Sequence, residues 1–133
     1  MSSRGVLHHL ELWVDDLETA EASLGWLFVA LGYELSRTWP DGRSWQRGET
    51  YIVVESGPDV KREPHDRRRP GLNHLAFSVG TEREVDELVV AAEQRGWSLM
   101  FGDRHPYAGG PNHYAAYLEN ADGFEVELVA HTS

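Results

Sequence analysis

Residues 71–79 read GLNHLAFSV, and this stretch decides how the rest of the sequence is interpreted. Apolar positions alternate with other residues after a proline-glycine turn signal, so the pattern predicts a short β-strand with two different faces. Leu75, Phe77 and Val79 fall on one face, whereas His74 falls on the other. Because the apolar face must be buried, the histidine face is predicted to turn away from the core.

The same pattern occurs near the N-terminus, where residues 9–14 read HLELWV. Histidine, leucine, a large apolar residue and valine recur in the same order, and His74 follows His9 by 65 positions, about half of the 133-residue chain. We therefore interpret the chain as two tandem copies of one unit, with one histidine at the matching place in each copy.

Composition limits the class of protein. A chain of 133 residues has the size of one ordinary domain, which buries a core without cross-links. The chain has no cysteine, which excludes disulfides, thiolate metal sites and cysteine nucleophiles. Its formal net charge of −10 argues against nucleic acid as a partner. We recognise no signal peptide and no apolar run of the roughly 20 residues that span a bilayer, so we expect a cytoplasmic protein without membrane contact.

Each unit is predicted to contain a strand, a helix and three further strands. The fold class is therefore α+β, a single domain of two tandem βαβββ modules that form a curved mixed sheet around a cleft. The first module covers about residues 6–56, a polar linker 57–70 and the second module 71–130. Helices are predicted from about Leu17 to Leu31 and from a Thr81 N-cap to Arg95, each followed by glycine.

Strand parity places ionisable side chains on the faces that turn away from the helices. In the last strand Glu127 takes that face, whereas Val126 and Leu128 are directed to the core. The same parity places Glu55 and Tyr51 on the equivalent face of the fourth strand. If the two sheets curve together, these faces line one concave cleft.

His9, His74 and Glu127 then form a set of two imidazoles and one carboxylate, with Glu55 available as a fourth ligand or a base. Such a set suits one divalent metal ion, namely iron, manganese, nickel, cobalt or zinc, and leaves coordination positions open for substrate or water. By spacing alone, four unrelated polar residues on solvent-facing strands would produce the same pattern. The internal repeat is what favours the metal site.

The second unit carries an additional loop over residues 102–112, rich in glycine and proline. Extra loop length in a compact domain is often functional, and this loop is a candidate lid. We expect Tyr107 on the loop to contact a substrate and His113 beside it to take part in catalysis. Ordinary solvent exposure is the alternative for both residues.

The sequence resembles the vicinal oxygen chelate superfamily, which includes glyoxalases, bleomycin-resistance proteins, extradiol dioxygenases, methylmalonyl-CoA epimerases and fosfomycin-modifying enzymes. The resemblance covers the chain from about residue 7 to 130. The segments that carry it are HLELWVDDL at 9–17, LGY at 31–33, LNHLAF at 72–77 and NADGFEVEL at 120–128. It implies paired βαβββ modules, one divalent metal held by His9, His74 and Glu127, and in many members a homodimer.

The resemblance implies a shared chemistry without separating the reactions. Across the superfamily, the metal captures a substrate through two neighbouring oxygens and stabilises negative charge on it. We therefore expect a metal-dependent lyase, isomerase or ring-cleaving dioxygenase that acts on a small oxygen-rich or phenolic molecule. The alternative is a non-catalytic protein that binds an antibiotic or another small molecule in the same cleft.

Four aromatic side chains are expected to contact the substrate: Trp13, Trp45, Tyr51 and Tyr107. Parity places the first and third of these on the cleft face and leaves the face of Trp45 open. Glu11 and Glu125 are candidates for a general base, provided that burial or a like-charged neighbour raises the pKa of the carboxyl. Packing or solvent exposure is the alternative for each of these residues.

Overall fold

The computed structural model describes residues 2–131 and shows an α+β protein. The chain divides into two compact units, Met1–Glu63 and Pro64–Ser133. Each unit forms its own four-stranded mixed sheet, which confirms the predicted fold class of two tandem modules. The predicted linker is shared, because residues 57–63 belong to the first unit and residues 64–70 to the second.

The first unit follows the predicted order of one strand, a helical region and three strands. Its elements are β1 (His9–Trp13), α1 (Leu17–Ala20), a π-helical segment (Glu21–Gly25), α2 (Trp26–Ala30), β2 (Glu34–Trp39), β3 (Gly42–Arg47) and β4 (Thr50–Glu55). The sheet order is β1-β4-β3-β2, in which β1 and β4 are parallel and the other pairs are antiparallel.

Local chemistry sets the ends of the helical region. The side chain of Asp16 caps its start by accepting a hydrogen bond from the Thr19 backbone N–H at 3.0 Å. Gly32 ends it with a φ of +95°, a left-handed conformation that glycine adopts without strain. Between these ends the predicted α-helix is interrupted by the π-helical segment. Gly25 closes that segment, and a Cβ atom there would lie 2.6 Å from Cζ2 of Trp45.

The core of the first unit lies between the helical region and one face of the sheet. Trp45 is 2% exposed, and its ring packs against that of Phe28 with 5.4 Å between the centroids. Trp45 pairs with the buried Ile52 of β4. This pairing places the Trp45 side chain on the core face of the sheet, which strand parity alone had left undecided. We therefore assign Trp45 to core packing rather than to contact with a ligand.

The second unit repeats the plan. Its elements are β5 (Leu75–Gly80), α3 (Glu82–Glu93), β6 (Trp97–Leu99), β7 (Ala115–Asn120) and β8 (Glu125–Ala130). The sheet order is β5-β8-β7-β6, and β5 and β8 are parallel. The predicted Thr81 N-cap of α3 is confirmed. The side chains of Thr81 and Glu84 form a capping box, in which each accepts a hydrogen bond from the backbone N–H of the other residue.

β5 begins later than the pattern of residues 71–79 predicts. His74 lies directly before β5, and His113 lies two residues before β7, so both imidazoles sit at strand entrances rather than inside the ladders. β6 ends at Leu99, and Phe101 has a φ of +55° that turns the chain out of the sheet. Among residues 2–131, no helix has the length and apolar character that crossing a membrane requires.

The two tryptophans Trp45 and Trp13 differ in burial and provide a matched test of the core. Trp45→Ala removes a buried ring, so we expect it to lower the free energy of unfolding by about 3–5 kcal/mol. Trp13 is 48% exposed, and Trp13→Ala should change that free energy by no more than about 0.5 kcal/mol. Urea unfolding followed by far-UV circular dichroism measures both. Equal losses in the two variants would contradict the assignment of Trp45 to the core.

Candidate functional site

The carboxylate of Glu127 is the centre of a polar cluster in the second unit. β8 carries this residue, and the register pairs it with Ala76 on β5 and Tyr117 on β7. Val126 and Leu128 are fully buried on the core side, so the predicted face of Glu127 is confirmed. Glu127 itself is 6% exposed. A carboxylate that is removed from water to this extent needs polar partners.

Three side chains supply those partners. Nε2 of His74 lies 3.0 Å from Oε1 of Glu127, and Nε2 of His113 makes a short contact with Oε2. The hydroxyl of Tyr117 hydrogen-bonds to the same carboxylate. Burial acts to raise the pKa of Glu127, but the hydrogen bonds from His113 and His74 outweigh it, and the pKa lies below its ordinary value. The cluster therefore holds Glu127 ionised at neutral pH.

The loop between β6 and β7 brings His113 to this carboxylate. The His113 backbone N–H donates to the carbonyl of Gly110 at 3.2 Å. A Cβ atom on Gly109 would lie 2.7 Å from the His113 ring and 2.6 Å from the Tyr117 hydroxyl. Glycine at this position thus permits the loop backbone to pack directly against two partners of Glu127.

Glu125 lies on the same face as Glu127 but in a different environment. It is 5% exposed, and its Oε1 atom is within 3.4 Å of Nε of Arg67 without hydrogen-bond geometry. Burial raises the pKa of Glu125, although the charges of Arg67 and His74 oppose the rise. Two neighbouring carboxylates on one strand therefore have pKa values shifted in opposite directions, a pattern associated with functional sites.

Aromatic rings occupy the corresponding face of the first unit. The ring of His9 stacks on Tyr51, with 4.7 Å between the centroids and an angle of 5° between the planes. The indole N–H of Trp13 donates to Glu11 at 2.7 Å. The register of β1 and β4 pairs His9 with Tyr51 and Trp13 with Glu55, so these residues share one face, as parity predicts.

A cavity of about 400 Å³ opens on this face of the first unit. Its lining includes His9, Glu11, Trp39, Gln46, Tyr51 and Glu55. The indole N–H of Trp39 donates to Oε1 of Glu55 at 3.0 Å, so this carboxylate already has a hydrogen-bond partner within the unit. The lining is both aromatic and acidic.

The repeat identifies the counterpart of Glu127 in the first unit. Glu127 pairs with Ala76, which follows His74 by two residues. In the first unit, Glu11 follows His9 by two residues and pairs with Val53. The counterpart of Glu127 is therefore Val53, and Glu55 lies two residues further along β4, at the next position on the same face.

The structure groups the predicted residues in two sets and leaves two outside them. In the second unit it brings together His74, His113 and Glu127, with Glu125 on the same face. In the first unit it places His9, Trp13, Tyr51 and Glu55 on one sheet face. Trp45 lies in the core, as described above. Tyr107 lies in the long loop, where its ring contacts that of Tyr114 edge-on at 5.7 Å.

Sequence reasoning missed two residues of the second set, Tyr117 and Asn73. Pairing the last two strands across the turn at residues 120–123 would have placed Tyr117 opposite Glu127, so a signal for it was available. Asn73 contacts Nδ1 of His74 through its side-chain oxygen at 2.7 Å. Its only signal is its position beside His74.

Two of the donors at Glu127 are spaced so that they could share one metal ion. Among residues 2–131, no group of three or more His, Cys, Asp or Glu side chains is already arranged to hold one. The separation of 3.0 Å between His74 Nε2 and Glu127 Oε1 does fit two ligands at a right angle on one ion with bonds of about 2.1 Å. An ionised carboxylate beside an imidazole is also a chemically suitable pair of ligands.

Known proteins resemble this chain over nearly its whole length. The profile of the Glyoxalase/Bleomycin resistance protein/Dioxygenase superfamily matches residues 8–117. The uncharacterized protein YqjT of Bacillus subtilis is 40% identical over 125 residues, which cover 93% of this chain and 98% of YqjT. A crystal structure from Bacillus halodurans, named provisionally as a glyoxalase, is 43% identical with a TM-score of 0.91 and covers 97% of this chain and 98% of its own.

A more distant structure shares the fold. The genomically encoded fosfomycin resistance protein of Listeria monocytogenes, complexed with Mn(II) and sulfate, is 20% identical with a TM-score of 0.66. The match covers 96% of this chain and 93% of that protein. At this identity the likeness is one of fold alone.

The opposite pKa shifts of Glu127 and Glu125 predict opposite dependences of stability on pH. Ionised Glu127 stabilises the fold above its unfolded pKa of about 4.3, and this contribution is lost as the pH falls through the lower folded pKa. The free energy of unfolding of the wild type, relative to Glu127→Gln, should therefore rise with pH across the acid range. Urea unfolding at a series of pH values measures it.

Glu125→Gln is the matched control on the same strand. The folded pKa of Glu125 is raised, so its contribution is present below the unfolded pKa and is lost as the pH rises through the folded pKa. The wild type should therefore lose stability relative to Glu125→Gln as the pH rises. Trends of the same sign in the two variants would contradict the assigned environments.

Proposed function

We propose that this chain, which belongs to the glyoxalase/bleomycin resistance protein/dioxygenase superfamily, is a metal-dependent enzyme that acts on a small oxygen-rich or phenolic molecule. The observation that carries the proposal is the buried carboxylate of Glu127, held ionised by two imidazoles. The Mn(II) in the fosfomycin resistance protein of the same fold supports it. We also expect the protein to act as a homodimer.

The proposed ligands of one divalent ion are His74, Glu127 and His9. The separation of the first two supports ligation of a common ion, and His9 is included because it occupies the place of His74 in the repeat. When bound, the ion supplies a Lewis acid for two neighbouring oxygens of the substrate. The hydrogen bond of Glu55 to Trp39, and the presence of Val53 at the counterpart of Glu127, argue against Glu55 as a fourth ligand.

The remaining polar residues of the second unit are proposed to orient groups and to move protons. His113 donates to Oε2 of Glu127 and so fixes the rotamer of that carboxylate. Burial raises the pKa of the Glu125 carboxyl, which favours a role in exchanging a proton with a substrate. Glu55 and Tyr51 are proposed to contact the substrate in the cavity of the first unit, with Trp13 on the same face.

A second candidate function is sequestration of an aromatic small molecule, such as an antibiotic, without catalysis. The cavity of about 400 Å³ and the flat surface of the His9 and Tyr51 rings favour it. Cavities of about 300–1,000 Å³ hold ligands of drug size. Metal content separates the two candidates, because sequestration in this cavity needs no metal.

The proposal is tested first by the metal content of protein purified without added metal. We expect close to one divalent ion per chain by mass spectrometry of the dissolved protein, and a loss of at least about tenfold in metal affinity for His74→Ala and Glu127→Ala. His105→Ala is the matched control, since this histidine lies in the long loop and should leave the metal content unchanged. Absence of metal in the wild type, even after incubation with Mn(II) or Fe(II), would favour sequestration.

Oxygen uptake then separates the two classes of reaction. With Fe(II) and a catechol, a ring-cleaving dioxygenase consumes oxygen, and we expect His9→Ala to abolish that uptake because a ligand is lost. An oxygen electrode measures the rate. Metal-loaded protein that consumes no oxygen with a panel of catechols would instead be assigned to the lyase or isomerase class.

A further inference from the structure

A β-bulge in β2 places an arginine on the sheet face that carries the cavity of the first unit. Leu35 pairs with Trp45, so a regular antiparallel ladder would pair Arg37 with Arg43, but the register shifts and Arg37 pairs with Ser44. Successive residues of a strand alternate between faces, so the extra residue moves Arg37 from the core face to the cavity face. Bulges re-aim side chains in this way and are frequent beside ligand sites.

Arg37 and Ser44 both line the cavity, and both offer hydrogen-bond donors to it. Within residues 2–131, neither side chain makes a hydrogen bond or an ion pair with another residue. Ser44 is 4% exposed, so a ligand in the cavity is the partner available to its hydroxyl. A guanidinium and a hydroxyl on directly paired residues are therefore present without an acceptor.

The carboxylates of the cavity do not neutralise Arg37. Glu11 accepts a hydrogen bond from the indole of Trp13 at 2.7 Å, and Glu55 accepts one from the indole of Trp39 at 3.0 Å. Of the cavity-lining residues in the described part of the chain, Arg37 is the only arginine or lysine. An arginine that shares a cavity with two carboxylates and pairs with neither is available to an anion from outside the chain.

The donors and the acceptors of the cavity lie on opposite edges of the sheet. Arg37 belongs to β2 and Glu11 to β1, which are the two edge strands. Three strand spacings, about 14 Å, therefore separate the two backbones. His9 lies on β1 as well, so that edge offers acceptors to hydroxyl groups, whereas the β2 edge offers donors to an anion. The lining thus fits a ligand with hydroxyls at one end and a negative charge at the other.

We infer that Arg37 and Ser44 form a subsite for the carboxylate of a substrate whose hydroxyls face β1. The substrate class is then a small phenolic or polyhydroxy acid rather than a neutral phenol. A planar guanidinium matches a carboxylate through two parallel N–H···O hydrogen bonds, and the serine hydroxyl adds a third donor. The inference rests on the proposed function, which places the substrate in this cavity, and it makes Arg37 a specificity-determining residue.

The test uses three ligands that share one ring and differ in charge: neutral catechol, its carboxylate derivative protocatechuate, and the cationic dopamine. Each is titrated into metal-free protein in a buffer that contains a chelator. ¹H–¹⁵N NMR of the indole N–H groups follows binding, and the signal of Trp39 reports on the cavity. We expect the wild type to bind protocatechuate at least about tenfold more tightly than catechol, because a hydrogen-bonded charge contributes that much, and more tightly than dopamine.

Substitutions then assign the preference to the subsite. Arg37→Gln should reduce the preference for protocatechuate over catechol to within about threefold, and Ser44→Ala should reduce it less. Arg37 is exposed, so its substitution should leave the fold intact, which far-UV circular dichroism checks. Arg47→Gln is the matched control, since it removes the same charge from the same sheet at a residue that lies on the other face and close to Gly32. It should keep the preference of the wild type.

The use of metal-free protein separates failure of the inference from failure of the proposed function. Protocatechuate that binds no more tightly than catechol or dopamine, that does not bind at all, or that keeps its preference in Arg37→Gln would overturn the inference and leave the metal-binding proposal standing. An Arg37-dependent preference in a protein that binds no metal would overturn the proposed enzyme and would retain the subsite as part of a sequestering cavity.

Discussion

A carboxylate removed from water is the constraint on which the second unit depends. Leaving Glu127 ionised inside the protein is costly unless both oxygens have partners. Those partners come from two separate segments, His74 before β5 and the stretch from His113 to Tyr117 that leads into β7. The parallel pairing of β5 with β8 and the antiparallel pairing of β7 with β8 must therefore be in register. A slip of one residue would replace Glu127 by an apolar neighbour and would place the charge in the core.

Segments outside the sheets complete the surroundings of this charge. The long loop positions His113 beside Glu127. The loop backbone packs closely there because Gly109 has no side chain that would collide with His113 and Tyr117. The polar linker positions Arg67 beside both groups. Its guanidinium pairs with the buried Glu125, and its backbone carbonyl accepts a hydrogen bond from the side-chain amide of Asn73, which lies next to His74. Neither segment belongs to a strand or helix, so the precision of the cluster depends on hydrogen bonds and close packing rather than on the sheet ladder alone.

Much of this arrangement could be predicted from the sequence, because strand parity and an internal repeat are local patterns. They placed His9, Tyr51 and Glu55 on one face and Glu127 on the matching face of the second unit. The face of Trp45 could not be predicted, since it depends on pairing with Ile52 and on the close approach of Gly25. The contact of His113 with Glu127 requires the path of a long loop, and the orientation of Asn73 requires a carbonyl six residues earlier; neither leaves a periodic pattern.

Val53 of the first unit occupies the position that Glu127 occupies in the second unit. The two units therefore share one fold but differ in whether this position is charged. One half retains an acidic residue and must surround it with donors, which restricts the amino acids that its neighbours can be. The other half has valine at that position, and the carboxylates on its sheet face, Glu11 and Glu55, are less deeply buried than Glu127. New ligand preferences would therefore arise at lower cost to stability in the half without a buried carboxylate at this position.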